Sequence, residues 1–200
     1  HIYDAFVYEG ACYIIVERCD NTITSMFRPD FDGAYWIKAL SRCVLQALHF
    51  IHLRGLAHCD VHMRNVFFKF IADEILPNEH TALTFKLGDF GLARQVGDLS
   101  HEGTFLNFIR PPEAIDPIEY GPLDHRADIY QAGLLFLQFL LGREIMFTQE
   151  EILNGRPRQL ALQLPAPYGA AIEKMLRRHV ISRSQSALDC WHDLNVSTKI

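Results

Sequence analysis

The 200-residue sequence has no C-x-x-C pair, no internal repeat and no low-complexity tract. Its five cysteines (Cys12, Cys19, Cys43, Cys59 and Cys190) are odd in number and scattered, which argues against a disulfide scaffold or a structural zinc site. A reducing, cytoplasmic setting is the expectation. No long apolar run occurs: Leu134–Leu141 is broken by Gln138 and is far too short to span a bilayer. Basic charge is not in excess either. With 19 Lys+Arg against 24 Asp+Glu the net charge is −5, which argues against a broad nucleic-acid surface, and no nucleic-acid partner is expected. No charged-then-apolar leader opens the chain, so no secretory signal is expected, and the first residue is His1 rather than Met. What is present is enough apolar material to bury a core: 49% hydrophobic and 22% charged residues, in a length that suits one domain or one and a half.

Two β-prone apolar runs, Ile2–Val7 and Cys12–Val16, flank Tyr8-Glu9-Gly10 and read as a hairpin. The second run is apolar on both faces, which predicts that both faces are covered. After Asp30 and Asp32, the residues Ile37, Leu40, Val44, Leu48 and Ile51 recur at three- and four-residue steps. They predict an amphipathic helix over Trp36–Leu53, with Gly55 as its stop. Val66–Phe70 and Leu83–Leu87 read as two short strands, with a polar loop, Ile71–Thr81, between them. Gly88–Asp124 shows no clear period, and irregular segments of that length are usually functional or disordered. Asp128–Leu141 predicts a buried helix that ends at Gly142. Shorter helices are expected near Gln149–Leu153, Ala170–Arg178 and Gln185–Leu194, separated by Pro157, Pro165 and Pro167. Mixed elements first and helices later indicate an α+β fold.

Four segments carry chemistry: L-A-H-C-D-V-H-M-R-N-V-F-F over 56–68, K-L-G-D-F-G-L-A-R over 86–94, R-P-P-E-A over 110–114, and D-H-R-A-D-I-Y-Q-A-G over 124–133. Asp60, Asn65 and Asp89 are oxygen-bearing side chains on neighbouring loops of a strand pair. That is the ligand chemistry Mg²⁺ prefers when phosphate oxygens complete its shell. Phosphoryl transfer needs metal, a positioned hydroxyl and cationic cover for the phosphate charge. Asp60 suits the hydroxyl, Asn65 and Asp89 the metal, and His62 or Arg64 the cover.

The order of these segments resembles the C-terminal lobe of the eukaryotic-type protein kinase family. His58, Asp60 and Asn65 match its H-R-D-L-x-x-x-N loop, Asp89-Phe90-Gly91 its D-F-G, and Pro112-Glu113 its A-P-E. Asp128 and Gly133 match its D-x-W-x-x-G helix start, and Arg183 stands where the family places the partner of the A-P-E glutamate. The resemblance implies an α+β, protein-kinase-like fold with a mostly helical C-lobe at residues 20–200. Residues 1–19 would be a partial N-lobe, comprising the last strands and the hinge. It further implies ATP and Mg²⁺ as cofactors, with Asp60, His62, Arg64 and Asn65 catalytic and Asn65 and Asp89 on the metal. Val16 would be the gatekeeper, and Glu17 and Cys19 would offer backbone hydrogen bonds to adenine above Phe67. The helix over Trp36–Leu53 would support the catalytic loop, and the helix from Asp128 would anchor it.

The expected reaction moves the γ-phosphate of Mg·ATP to a hydroxyl of a protein substrate, with Ser/Thr favoured over Tyr. His62 stands where Ser/Thr kinases carry Lys, Arg64 where many Tyr kinases carry Arg, and Gly103-Thr104 resembles the Ser/Thr family's G-T. No G-x-G-x-x-G occurs, and Lys38 and Lys69 stand in the wrong context to replace the family's strand lysine. The chain is therefore expected to be a fragment of a longer kinase and inactive by itself. Cys59 replaces the family's Arg before the catalytic Asp, which predicts activity without phosphorylation at Ser100 or Thr104. A metal set at His58, Cys59 and His62 lacks further ligands. Glu113 and Arg183 read as a structural buried pair. Two other functions fit parts of the pattern: an aminoglycoside-type small-molecule phosphotransferase, which shares the H-x-D-x-x-x-x-N loop, and a pseudokinase or docking module.

Overall fold

The structure, a computed structural model, describes residues 2–72, 80–100 and 105–195. Most of the polar loop after Ile71 and the Gly103-Thr104 pair lie outside the described residues. Strand β1 (Ile2–Tyr8) pairs antiparallel with β2 (Ala11–Val16), with Ala5 opposite Ile14 and Phe6 opposite Tyr13. Glu9 and Gly10 close the hairpin, both at positive φ (49° and 78°), as a two-residue turn that follows the strand twist requires. Every residue of both strands is exposed. The expectation that both faces of the second strand are covered is thus corrected. An apolar strand acquires a covered face only where a second layer lies against it, and none of the described elements does.

Strand β3 (Asn21–Thr22) leads into a one-turn helix at Ile23–Met26 and then into α1 (Gly33–His52). Asp32 caps α1, accepting from the backbone N–H of Ala34 (2.9 Å) and Tyr35 (3.3 Å), which satisfies donors the first turn leaves open. Gly55, at φ 71°, takes the left-handed position just past the helix end. Strand β4 (Leu56–Ala57) follows. The hairpin of β5 (Val66–Ala72) and β6 (His80–Leu87) then joins β3 in a three-stranded sheet of order β3-β5-β6. Strand β7 (Arg94–Gln95) pairs with β4.

Within the segment read as irregular, short helices form at Val96–Asp98 and Asn107–Ile109 and then as α2 (Pro112–Ile115) and α3 (Pro117–Tyr120), the last two each begun by a proline. Proline suits a first turn because its missing N–H would be unpaired there anyway. Helix α4 (Arg126–Leu140) is buried from Ala127 to Phe139. Helix α5 (Gln149–Leu153) opens on a capping box between Thr148 and Glu151. Helix α6 (Arg156–Ala161) corrects the reading of Pro157 as a separator, since Pro157 lies in its first turn. Helices α7 (Tyr168–Met175) and α8 (Ala187–Asn195) complete the described chain.

Helix α1 packs against α4, α8 and β6, and α7 packs on α4 and α6. The core lies between them. Ile37, Leu40, Val44 and Leu48 meet Ile129, Leu134, Phe136 and Phe139, all fully or almost fully buried. Each such side chain contributes roughly 1.5–3 kcal/mol by leaving water. Phe139 is ringed by Phe31, Phe27 and Phe85 at centroid distances of 5.0, 6.2 and 6.5 Å. A smaller apolar cluster joins Ala57, Cys59, Phe105, Ala114 and Ala127. No described helix is long and apolar enough to cross a membrane.

Candidate active site

The site grows from α4 outward. The carboxylate of Asp128, fully buried, accepts from the backbone N–H of His58 and of Cys59 and from His52 Nε2, each at 2.8 Å. A carboxylate can only accept, so the His52 proton sits on Nε2. One turn along, the side chain of Gln131 accepts from the Val61 N–H (3.0 Å) and donates to the Cys59 carbonyl (3.0 Å) and the Ile109 carbonyl (3.4 Å). These bonds hold residues 58–61 in a turn that puts Cys59 at φ 67°. The Cys59 side chain is buried in the small apolar cluster, and that burial pushes its thiol up to about 12. The thiol is therefore protonated at neutral pH and a poor nucleophile.

Asp60 is 7% exposed. Its Oδ2 accepts from Asn65 Nδ2 (2.8 Å), which also donates to the Asp60 carbonyl (3.0 Å). Its Oδ1 is buried without a hydrogen-bond partner, and His62 Nε2 stands 3.4 Å from it. His62 Nδ1 accepts from the Arg64 N–H at 3.2 Å, so its neutral ring carries the proton on Nε2, facing Asp60. Burial alone would raise the Asp60 pKa. The contact with His62 and the hydrogen bond from Asn65 outweigh it, so the carboxyl is held below the usual aspartate range. The His62 ring rests edge-on against Phe108, centroids 5.5 Å apart. Arg64 is exposed and pairs with Glu144 at 3.1 Å.

Gly88 ties the second motif to the first. Its N–H donates to the Asn65 carbonyl (2.9 Å), and its carbonyl accepts from His58 Nε2 (3.1 Å). His58 Nδ1 accepts from the Asp60 N–H at 3.3 Å, which fixes the Nε2–H tautomer. Burial lowers the His58 pKa, so the ring stays neutral. A Cβ at residue 88 would stand 3.0 Å from the Phe67 ring, which would have to shift by a few tenths of an ångström to admit it. Asp89 follows, exposed and at φ 60°, with its Oδ1 accepting from the Gly91 N–H at 3.2 Å. Phe90 lies against His58, with ring centroids 4.7 Å apart.

Among the described residues no three His, Cys, Asp or Glu gather as a metal cage. Two oxygen-bearing side chains flank the bond from the Gly88 N–H to the Asn65 carbonyl: Asn65, whose amide nitrogen is spent on Asp60, and the exposed Asp89. That set fits Mg²⁺, which binds through one or two protein oxygens and completes its shell from phosphates and water.

The residues expected at the hinge and around adenine are placed differently. Val16 is exposed, and Cys19 and Phe67 are half-buried. The Glu17 carboxylate is gripped by Lys86 and by Lys69, the latter at 3.0 Å. Phe67 and Lys69 share one face of β5, and Lys86 lies opposite Phe67 in register. The hydrogen bond from Lys86, followed by that from Lys69, pulls the Glu17 carboxyl down to about 2.

Below the site, Arg183 and Glu113 form a buried two-bond pair at 2.6 and 2.7 Å. The remaining guanidinium protons go to the carbonyls of Arg126, Arg177 and Arg178, so all five donors are used. The Tyr130 ring lies 5.0 Å from the guanidinium carbon. The pair read from sequence as structural is built that way.

Gln131, His52 and Phe108 escape the sequence reading. A glutamine inside an apolar helix is the one signal that could have drawn attention to Gln131. The larger described cavity, about 580 Å³ and lined by Met26, Phe31, Trp36, Phe68 and Leu83 among others, includes none of the site residues.

A family model described as "Protein kinase domain" matches residues 1–193. Cyclin-dependent kinase C-2 of Oryza sativa subsp. japonica is 29% identical over 164 residues, covering 77% of this chain and 28% of that protein. The serine/threonine-protein kinase STE20 of Saccharomyces cerevisiae is 23% identical over 184 residues, covering 86% and 18%. The chain thus spans less than a third of the length of these relatives. Among solved structures, the yeast RNA Pol II CTD kinase CTDK-1 complex aligns at TM-score 0.73 with 16% identity, over 95% of this chain and 72% of that one. The Rad53 kinase domain aligns at 0.70 with 19% identity, over 98% and 71%. At these identities the structures speak for the fold alone, an α+β kinase-like lobe.

Proposed function

Because the chain belongs to the protein kinase domain family, we propose that the protein it comes from transfers the γ-phosphoryl group of ATP to a serine or threonine hydroxyl of a protein substrate. The observation that carries the reading is Asp60 Oδ1. It is a buried carboxylate oxygen whose nearest donor is His62 Nε2, at a long 3.4 Å, in a residue whose other oxygen and backbone are engaged at shorter distances. A buried acceptor kept open costs stability, and a substrate O–H is the donor that repays it. Asp60 would orient that hydroxyl and take its proton as the oxygen bonds to phosphorus and ADP departs. The pull of His62 and Asn65 keeps Asp60 ionised for this role.

Asn65 and Asp89 are the residues that would hold Mg²⁺, which when bound supplies neutralisation of the phosphate charge. His62, 3.4 Å from Asp60, would supply N–H cover, and Arg64, exposed and paired with Glu144, would supply cationic cover. Residues 1–19 would wall the nucleotide cleft, with Val16 as gatekeeper. Glu17 and Cys19 would present backbone groups to adenine, and Phe67 would lie beneath it.

The test is transfer from labelled Mg·ATP to a generic protein acceptor by the full-length protein. Asp60→Asn is expected to lower kcat about 10²–10⁴-fold while ATP still binds. An Asp60→Asn variant as active as the parent overturns the reading. So does a full-length protein that binds ATP and transfers nothing, the outcome a docking module would give.

A further inference from the structure

Helix α4 carries two glutamines in its apolar stretch. Gln138 accepts from the Ile145 N–H at 2.7 Å and so holds the turn beyond the helix. Gln131 is fully buried and reaches the other way. Burying a primary amide is costly unless its donors and acceptor are met, and here they are met on either side of one residue. The Gln131 Oε1 takes the Val61 N–H and its Nε2 gives to the Cys59 carbonyl, both at 3.0 Å. Asp60 is the residue between them. The second Nε2 proton reaches the Ile109 carbonyl at 3.4 Å, in the one-turn helix Asn107–Ile109 just before Arg110-Pro111-Pro112-Glu113.

We propose that Gln131 is a positioning residue for phosphoryl transfer. Its amide brackets Asp60 from both flanks and couples that bracket to segment 107–109, so that a neutral latch within α4 aims the carboxylate. The inference rests on the reading of Asp60 as the residue that receives the substrate hydroxyl.

The side chain fits the task in ways its neighbours in chemistry do not. Glutamate lacks the donors, methionine lacks both functions, and asparagine is one methylene short of both backbone groups. Asp128 secures the N–H groups of His58 and Cys59, ahead of Asp60. Only Gln131, among the described side-chain bonds, holds the backbone on both sides of it. Cys59 itself offers no charge to the segment after Asp89. Its side chain lies among Ala57, Phe105, Ala114 and Ala127, so the tie between the catalytic turn and residues 107–109 runs through an uncharged amide.

The experiment uses the full-length protein and Gln131→Met, with Gln131→Asn as the milder variant should the first fail to fold. Two readouts are taken: hydrogen exchange at the Val61 amide, and kcat with KM for ATP. Loss of the latch is expected to speed Val61 exchange at least about tenfold and to lower kcat by about 10–100-fold, the scale of a misplaced reacting group. KM for ATP should stay within about threefold, because the adenine side of the cleft is untouched. A generally loosened fold would raise exchange throughout α4 and move both kinetic constants, and that result would overturn the inference. A folded variant with parental Val61 exchange, or with kcat within about twofold of the parent, overturns it as well. If the parent transfers no phosphate, the functional reading falls, and the positioning role falls with it.

Discussion

The two hairpins of this chain are built alike and live differently. In β1–β2, Phe6 faces Tyr13 across the pair and stacks on it at 5.4 Å, and the strand residues around them stay exposed. In β5–β6, Phe68 faces Phe85 and both are buried, because α1 lies along β6. Antiparallel pairing engages the facing backbone groups in either case. What differs is the second layer, and that layer decides whether an apolar strand contributes a core or a surface. The first hairpin is tied to the body chiefly through the stretch that follows it. There the Glu17 carboxylate meets Lys69 and Lys86, and the Asp20 N–H donates to the Phe68 carbonyl at 3.0 Å.

If stability resides in the body, breaking its buried charge pair should give a large loss. Arg183→Met leaves Glu113 buried and unpaired, and is expected to cost about 3–5 kcal/mol in chemical denaturation. A smaller, reversible loss would put the lobe's stability elsewhere. The hairpins can be compared directly with one substitution. Phe85→Ala, at a position 3% exposed, is expected to cost about 3–5 kcal/mol. Phe6→Ala, 43% exposed and holding one stacked partner, should cost no more than about 1 kcal/mol. Equal costs would break the comparison.

The smallest effect is local and pH-dependent. The folded Glu17 carboxyl sits at about 2 against an ordinary 4.5, so its grip on the lysines is present above 4.5 and fades as pH falls toward 2. The ¹³C shift of the Glu17 carboxyl should titrate near the lower value, and the hairpin amides should change with it. In Lys86→Met the midpoint should move up. A midpoint already at the ordinary value in the parent would mean that the clasp does not form in solution.

What the sequence discloses follows from how far apart the interacting groups are. The meeting of Asp60 with Asn65 is legible in a five-residue spacing, and α1 in its repeating apolar stripe. The fit of Glu113 to Arg183 is legible only by resemblance, since 70 residues separate them. Gln131 is legible only as a polar residue in an apolar helix: its partners are backbone groups, which look the same at every position, so nothing in the sequence says what it holds. The coverage of β2 was misread because alternation and apolar content describe a strand, not its neighbours. Helix α6 was missed because Pro157 was read as a break where it serves as a start.

The bonds from Asp128 and Gln131 to residues 58–61 also impose an order in time. They span 69 to 72 residues. A chain made at roughly 5–20 residues per second exposes the turn at 58–61 about 4–14 s before the helix that grips it has been synthesised. For that interval the two backbone N–H groups that Asp128 will take, and the left-handed turn at Cys59, have no anchor. The turn that carries Asp60 is thus assembled after the sheet and α1 have had time to form. A nascent chain stalled before Asp128 would carry the motif without its shape.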